Sequence, residues 1–213
     1  MSDLSATFNE ISELLQKGKA KDIGVAVQKA LDEGAAPSDI LEKGLIAGMN
    51  IIGGKFKRGE VFVPEVLIAA RAMNNASATL KPALIKAGVQ PVGKAIICTV
   101  KGDLHDIGKN LVKMMIEGKG IEAIDLGVDC NDEKIIEAVR NSDAKVLCLS
   151  ALLTTTMMGL KDVVDSLKAA GLRDKIKIMV GGAPVTQSFA DEIGADAYTP
   201  DAASAAEVCR AFF

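Results

Sequence analysis

Asp103-Leu104-His105-Asp106-Ile107-Gly108 contains the one histidine among 213 residues, so any imidazole chemistry of this chain happens there. Asp103, two residues earlier, can accept the proton of one ring nitrogen. The other nitrogen is then left as a directed, more basic lone pair, which is the arrangement a metal-bound histidine needs. The segment follows the apolar run Lys94 to Val100. A strand that breaks at Gly102 and restarts as a helix around Ile107 places these side chains at the carboxyl edge of a sheet, where α/β folds bind ligands. Cys98, Cys130, Cys148 and Cys209 nowhere form Cys-x-x-Cys. Two of them fall inside expected strands, where a free thiol behaves as a small hydrophobe, so structural thiols are expected rather than a zinc cage.

The elements that must position this segment follow from periodicity. Up to about Ala87 apolar residues recur at three- and four-residue spacing, in Phe8, Ile11, Leu14, Leu15 and again in Ile23, Val27, Ala30, Leu31. Gly18 and Gly34 punctuate two helices, Pro37-Ser38-Asp39 opens a third and Pro64 a fourth, which together read as a small bundle. Gly44, Gly48, Gly53 and Gly54 lower helix propensity, and a bend or frayed end is expected near Gly53. Ala87 to Gly93 reads as a linker and candidate hinge, giving a helical cap over residues 1–88 and an α/β domain over 89–213.

Beyond the linker, strand and helix alternate five times. Strands are expected at Ala95 to Val100, Glu122 to Leu126, Val146 to Ser150, Ile176 to Val180 and near Ala197-Tyr198. Helices are expected at Ile107 to Glu117, Asn131 to Arg140, Thr156 to Ala170, Val185 to Ile193 and Ala202 to Phe212. Apolar strands separated by crossover helices imply a Rossmann-like or flavodoxin-like parallel sheet covered on both faces. In the common 2-1-3-4-5 order the loops after the first and third strands meet at the switch point. Those loops carry Asp103 to Gly108 and Ser150-Ala151-Leu152. Gly181-Gly182 after the fourth strand either lets a ligand lie against the main chain or makes a tight turn.

Composition excludes several partners. Basic and acidic residues, 25 and 28 of them, are interspersed with a net charge of −3, so neither a nucleic-acid nor a membrane surface is expected. No apolar run approaches a membrane span, and Met1 to Thr7 lacks the regions of a signal peptide; a cytoplasmic protein is expected. With 49% apolar residues, no Trp, one Tyr and six Phe, the core must be aliphatic.

The pattern Asp-x-His-x-x-Gly is followed, after 41 residues (109–149), by Ser150-Ala-Leu152 and, after 28 more (153–180), by Gly181-Gly182. This resembles the base-off, histidine-on cobalamin-binding domains, with the spacing of their methyl-transferring branch. Upstream, Phe56-Lys-Arg-Gly59-Glu-Val-Phe62-Val-Pro64-Glu and Ala69-Ala-Arg-Ala-Met73 are similar to the helical cap of methionine synthase's cobalamin module. The likeness spans about residues 5–210, and the two-part chain resembles the corrinoid proteins of methylamine, methanol and related methyltransferase systems.

The resemblance implies roles residue by residue. His105 would be the lower axial ligand to cobalt in place of the cofactor's own base, with Asp103 its hydrogen-bond partner and the Thr156 hydroxyl completing a relay where methionine synthase has a serine. Ser150 would bond the displaced base in its slot. Gly108, Leu152, Gly181 and Gly182 match slot-lining positions, and Asp106, Ile107, Thr154 and Tyr198 join the expected cofactor contacts. Phe56 and Val63 match cap residues that shield the methyl face, Val63 being smaller than the leucine expected there. Asp106 is otherwise read as a helix N-terminal charge and Lys109 as a solvated residue.

The implied chemistry is methyl transport on cobalt, between Co(I) and methyl-Co(III), which requires an axial ligand that can let go. One methyltransferase, specific for a substrate, would load the methyl group; a second would deliver it to coenzyme M or tetrahydrofolate; a reductive activation protein would keep the metal competent. The chain by itself is expected to turn nothing over. The competing readings are the B12-binding subunit of a radical mutase, against which the Phe56 to Pro64 cap argues, and a B12-sensing regulatory module, which would need an effector.

Overall fold

The computed structural model describes residues 4–213, and Met1 to Asp3, the start of the expected cap and of the segment scanned for a leader, lie outside the described residues. Two compact units are formed, one by the residues up to Pro91 together with Gly118–Gly120 and the other by Val92–Glu117 and Ile121–Phe213.

The first unit is helical. α1 (Ser5–Gln16), α2 (Ala20–Asp32) and α5 (Val63–Lys86) are joined by a composite rod made of α3 (Pro37–Asp39), a π-helical stretch (Ile40–Ile46) and α4 (Ala47–Lys57). Ile11, Leu15, Ile23, Ile40, Leu45, Met49 and Leu80 are fully or almost fully buried between the rods, as their helical spacing requires. The expected irregularity near Gly53 is absent, for α4 runs through Gly53 and Gly54 to Lys57. The rod is distorted instead at Ile40–Ile46, where Gly44 lies so close to α1 that an added Cβ would stand 3.0 Å from the Ile11 side chain. α5 opens with Pro64 in its first turn and with the Glu65 carboxylate accepting the Phe62 amide at 2.9 Å.

The second unit is a five-stranded parallel sheet of order β2-β1-β3-β4-β5, with β1 Lys94–Val100, β2 Glu122–Cys130, β3 Val146–Ser150, β4 Lys177–Gly181 and β5 Ala197–Tyr198. The crossovers are α6 (Ile107–Glu117), α7 (Asp132–Asn141), α8 (Met158–Ala169) and α9 (Gln187–Ile193), and α10 (Ala202–Ala211) follows the last strand. α6 packs beside α10, while α7, α8 and α9 pack in sequence, so helices cover both faces. β1, β3 and β4 are buried nearly throughout because each is flanked on both edges and both faces.

β2 runs four residues beyond the expected end at Leu126. Its register against β1 skips twice, between Ile97 and Cys98 and between Cys98 and Val100. These irregularities turn its exit towards the loop after β1. α8 and α9 begin two residues later than periodicity suggests, so Thr156 lies in the turn before α8 rather than inside it. No described helix is long and apolar enough to cross a membrane.

Candidate functional site

The register Thr99 to Ser150 to Gly181 aligns the carboxyl ends of β1, β3 and β4. The chain breaks from β1 at Lys101-Gly102, and Asp103 turns inward to become fully buried. Its carboxylate accepts four hydrogen bonds. Oδ1 takes the His105 amide at 3.0 Å and His105 Nδ1 at 2.7 Å; Oδ2 takes the Leu152 amide and the Thr156 hydroxyl, each at 2.7 Å. Burial alone would push this carboxyl up. The donors of Thr156, Leu152 and His105 outweigh it and hold the group well below the ordinary carboxylate range. An ionised acceptor at Oδ1 requires the proton on Nδ1, so Nε2 carries the lone pair.

The histidine side chain is half exposed. Its backbone is pinned as well, because the fully buried Thr99 donates its hydroxyl to the His105 carbonyl at 2.9 Å. Around it, Leu104 and Ile107 are 72% and 77% exposed, with Leu152, Leu153 and Met158 also open to solvent. These apolar side chains flank a single outward nitrogen, which suits a flat, largely apolar ligand carrying one metal position for a protein donor. Among the described residues no three His, Cys, Asp or Glu side chains converge as a metal cage. A metal held at this loop would therefore draw one protein donor, His105 Nε2, from the described residues.

The other expected positions divide. Ser150, half-buried at the end of β3, makes no side-chain hydrogen bond among the described residues and leaves its hydroxyl available. Thr154 is exposed in the turn before α8, and Tyr198 is half-buried on β5. A Cβ at Gly108 would meet nothing within 4 Å, and one at Gly181 would meet only the Thr199 carbonyl at 3.6 Å, so both leave open surface. Gly182 is different. Its φ of +130° and the Ala151 carbonyl, 1.8 Å from where a Cβ would stand, make it a requirement of the strand-to-helix turn itself. Asp106 is exposed just ahead of α6 and bonds Asn110, as an N-terminal residue should. Phe56 in α4 and Val63 in α5 are half-buried members of the helical unit.

Lys109 is not solvated. It is 3% exposed, and its ammonium bonds both oxygens of Asp125, at 2.7 and 2.9 Å, and Asn110 Oδ1 at 2.7 Å. Burial would raise the Asp125 carboxyl, but Lys109 and the Gly127 amide bring it below its ordinary value. Thr99 and Lys109 were both readable only as a polar residue in an apolar strand and a cation in a helix's first turn, signals too common to single them out.

Residues 93–209 match a B12 binding domain family, and residues 7–81 match a second B12 binding domain family. The dimethylamine corrinoid protein 3 of Methanosarcina acetivorans is 42% identical over 205 residues, covering 96% of each chain. The chain belongs to the B12-binding corrinoid proteins. Its fold agrees with that membership. A cobalamin-binding protein from Desulfitobacterium hafniense superposes with a TM-score of 0.82 at 31% identity, over 97% of this chain and 98% of that one. The methanol:cobalamin methyltransferase complex MtaBC from Methanosarcina barkeri contains a chain that superposes with a TM-score of 0.85 at 31% identity, over 97% and 79%. As a corrinoid protein the chain takes a cobalamin-type cofactor, and the Asp103-His105 loop with its apolar rim is the described surface whose donor chemistry suits one.

Proposed function

We propose that this corrinoid protein carries a methyl group between two methyltransferases and that His105, through Nε2, would hold its cobalt. The observation that supports this reading is the buried Asp103 carboxylate. Four donors keep it ionised and in place, so that the imidazole presents Nε2 outward in one tautomer. When bound, the corrinoid supplies a cobalt centre that accepts a methyl group and gives it up.

The protein's part is to hold and release. While Nε2 is engaged, Asp103 fixes the ring and its tautomer through Nδ1. When Nε2 is freed its lone pair can take up a proton, while Nδ1 keeps its bond to the Asp103 carboxylate. The Thr156 hydroxyl can serve either of two acceptors, Asp103 Oδ2 at 2.7 Å or the Leu153 carbonyl at 3.1 Å. One proton cannot satisfy both, so the hydroxyl can swing between them as the charge on the imidazole changes. Ser150, with Gly108 and Gly181, offers space and a hydroxyl for the displaced nucleotide base.

Donor choice belongs to the partner. The relatives carry the names of dimethylamine and methanol systems while sharing this fold, so the loading enzyme is a methyltransferase specific for one such methyl compound. A second methyltransferase removes the methyl group, and a reductive protein restores the metal. The four free cysteines are all buried thiols, in keeping with a cytoplasmic setting.

Absorbance spectra after mixing the protein with cobalamin test this. Displacement of the nucleotide base with a histidine-ligated spectrum is expected, and His105→Ala should lose that signature. An unchanged spectrum in the alanine variant would remove His105 from the metal.

A further inference from the structure

The exit of β2 reaches the His105 loop through a residue the methyl-carrier chemistry does not use. Among the described residues Asp129 is the one non-glycine with a positive φ, at 50°. Asp tolerates that region better than most residues, but a strand tail has no reason to enter it unless contacts require it. Two contacts do. The Asp129 amide donates to the Asp103 carbonyl at 3.0 Å, and Asp129 Oδ1 accepts the Gly102 amide at 2.7 Å. Gly102 is itself at φ +79°, at the point where the chain leaves β1. The second register skip, Cys98 with Gly127 then Val100 with Cys130, places one extra β2 residue beside this corner.

We propose that Asp129 is a positioning residue that sets the backbone of Gly102 and Asp103, and through them the aim of His105. The inference rests on His105 being the metal ligand. Asp103's side chain is locked by its four donors, but the peptide that carries it is anchored from this side by Asp129. Loss of the Gly102 anchor would let the loop pivot and lower the fraction of time that Nε2 points along one line. A displacement of about 1 Å at a ligand-bearing group is enough to weaken binding substantially.

Asp129→Gly isolates the effect, because it relieves the positive φ and keeps the amide bond to Asp103 while deleting the acceptor for Gly102. Asp129→Asn keeps an acceptor oxygen and also tolerates the conformation. In the cofactor-free protein, amide exchange at Gly102 should quicken about tenfold in the glycine variant, with the thermal midpoint little changed. With cobalamin added, the glycine variant should bind roughly tenfold more weakly and show a mixed spectrum, part histidine-ligated and part not. The asparagine variant should restore both. Wild-type affinity and spectrum in the glycine variant, or an asparagine variant as impaired as glycine, overturns the proposal. If the wild-type protein itself shows no histidine-ligated spectrum, the ligand assignment fails instead, and unchanged Gly102 exchange in the glycine variant then overturns the anchoring role on its own.

Discussion

His105 and Thr156 bond opposite oxygens of one buried carboxylate, Asp103, although 50 residues of sequence lie between them. The carboxylate therefore ties the loop after β1 to the loop after β3, and its charge decides which ring nitrogen is free. Structure and tautomer are set by the same group.

Asp103→Asn exposes that coupling. An amide has one acceptor where the carboxylate has two, and four donors surround it. If the amide oxygen stays with Leu152 and Thr156, its NH2 faces Nδ1, and the proton must move to Nε2. The variant should bind cobalamin roughly 10- to 100-fold more weakly and without histidine ligation. Equilibrium titration followed by visible absorbance measures both, and a histidine-ligated spectrum of wild-type strength would refute the tautomer argument.

Acid should erase most of the difference between these two proteins. Because the folded-state value of the Asp103 carboxyl lies below its unfolded one, its contribution to stability is complete above the ordinary carboxylate range and is lost progressively as pH falls from that range towards the lower folded-state value. In urea unfolding, the gap in stability between wild type and Asp103→Asn should be constant near neutrality and shrink below about pH 5. A gap that widens on acidification would contradict the assigned direction.

Thr156 separates hydroxyl from shape. Thr156→Val leaves Oδ2 of a buried carboxylate with the Leu152 amide alone, and stability should fall by about 1–3 kcal/mol. Thr156→Ser keeps the donor and should remain within about 0.5 kcal/mol of wild type. A loss in Thr156→Ser with none in Thr156→Val would assign the effect to the methyl group instead.

Much of this framework can be read from the chain because its signals are local. β1 and β3 are continuous apolar runs, and the two-residue spacing of Asp103 and His105 already permits their bond. Alternation implies a parallel sheet, and the common 2-1-3-4-5 order, which this sheet adopts, brings Thr156 within reach of Asp103. What escaped has partners far away. Lys109 looks like any first-turn lysine until Asp125, on a different element, is brought against it by the fold. The sequence reading ends β2 at Leu126, whereas the tail, with Gly127 and Asp129 both at positive φ, still pairs with β1 across two register skips. The π-helical stretch at Ile40–Ile46 answers to the packing of Gly44 on Ile11, which no propensity encodes, whereas Gly53 is tolerated inside α4 at the modest cost of its backbone freedom.

Lys109→Met tests the hidden ion pair. The substitution removes the cation from a nearly buried site and leaves the Asp125 carboxylate facing Lys113 at 3.4 Å and the Gly127 amide. Stability should drop by about 3 kcal/mol, the scale for breaking one side of a covered pair. A denaturation midpoint within error of wild type would mean that solvent or Lys113 compensates fully.

The two glycines on opposite sides of the site should separate folding from binding. At Gly182 an alanine would need a strained φ and would drive its Cβ into the Ala151 carbonyl, so Gly182→Ala should unfold the α/β unit or destabilise it by more than about 3 kcal/mol. At Gly108 the Cβ meets no protein atom, and a helix-favouring residue replaces glycine in the first turn of α6, so Gly108→Ala should leave stability equal or raise it by up to about 1 kcal/mol. If Gly108 lines the cofactor slot, as proposed, an added methyl group intrudes on the ligand, and cobalamin affinity should fall at least several-fold while the apo-protein is unharmed. Thermal unfolding of the cofactor-free proteins and cobalamin titration of the folded ones measure the two effects separately. A Gly108→Ala variant that binds as tightly as wild type would take Gly108 out of the cofactor slot.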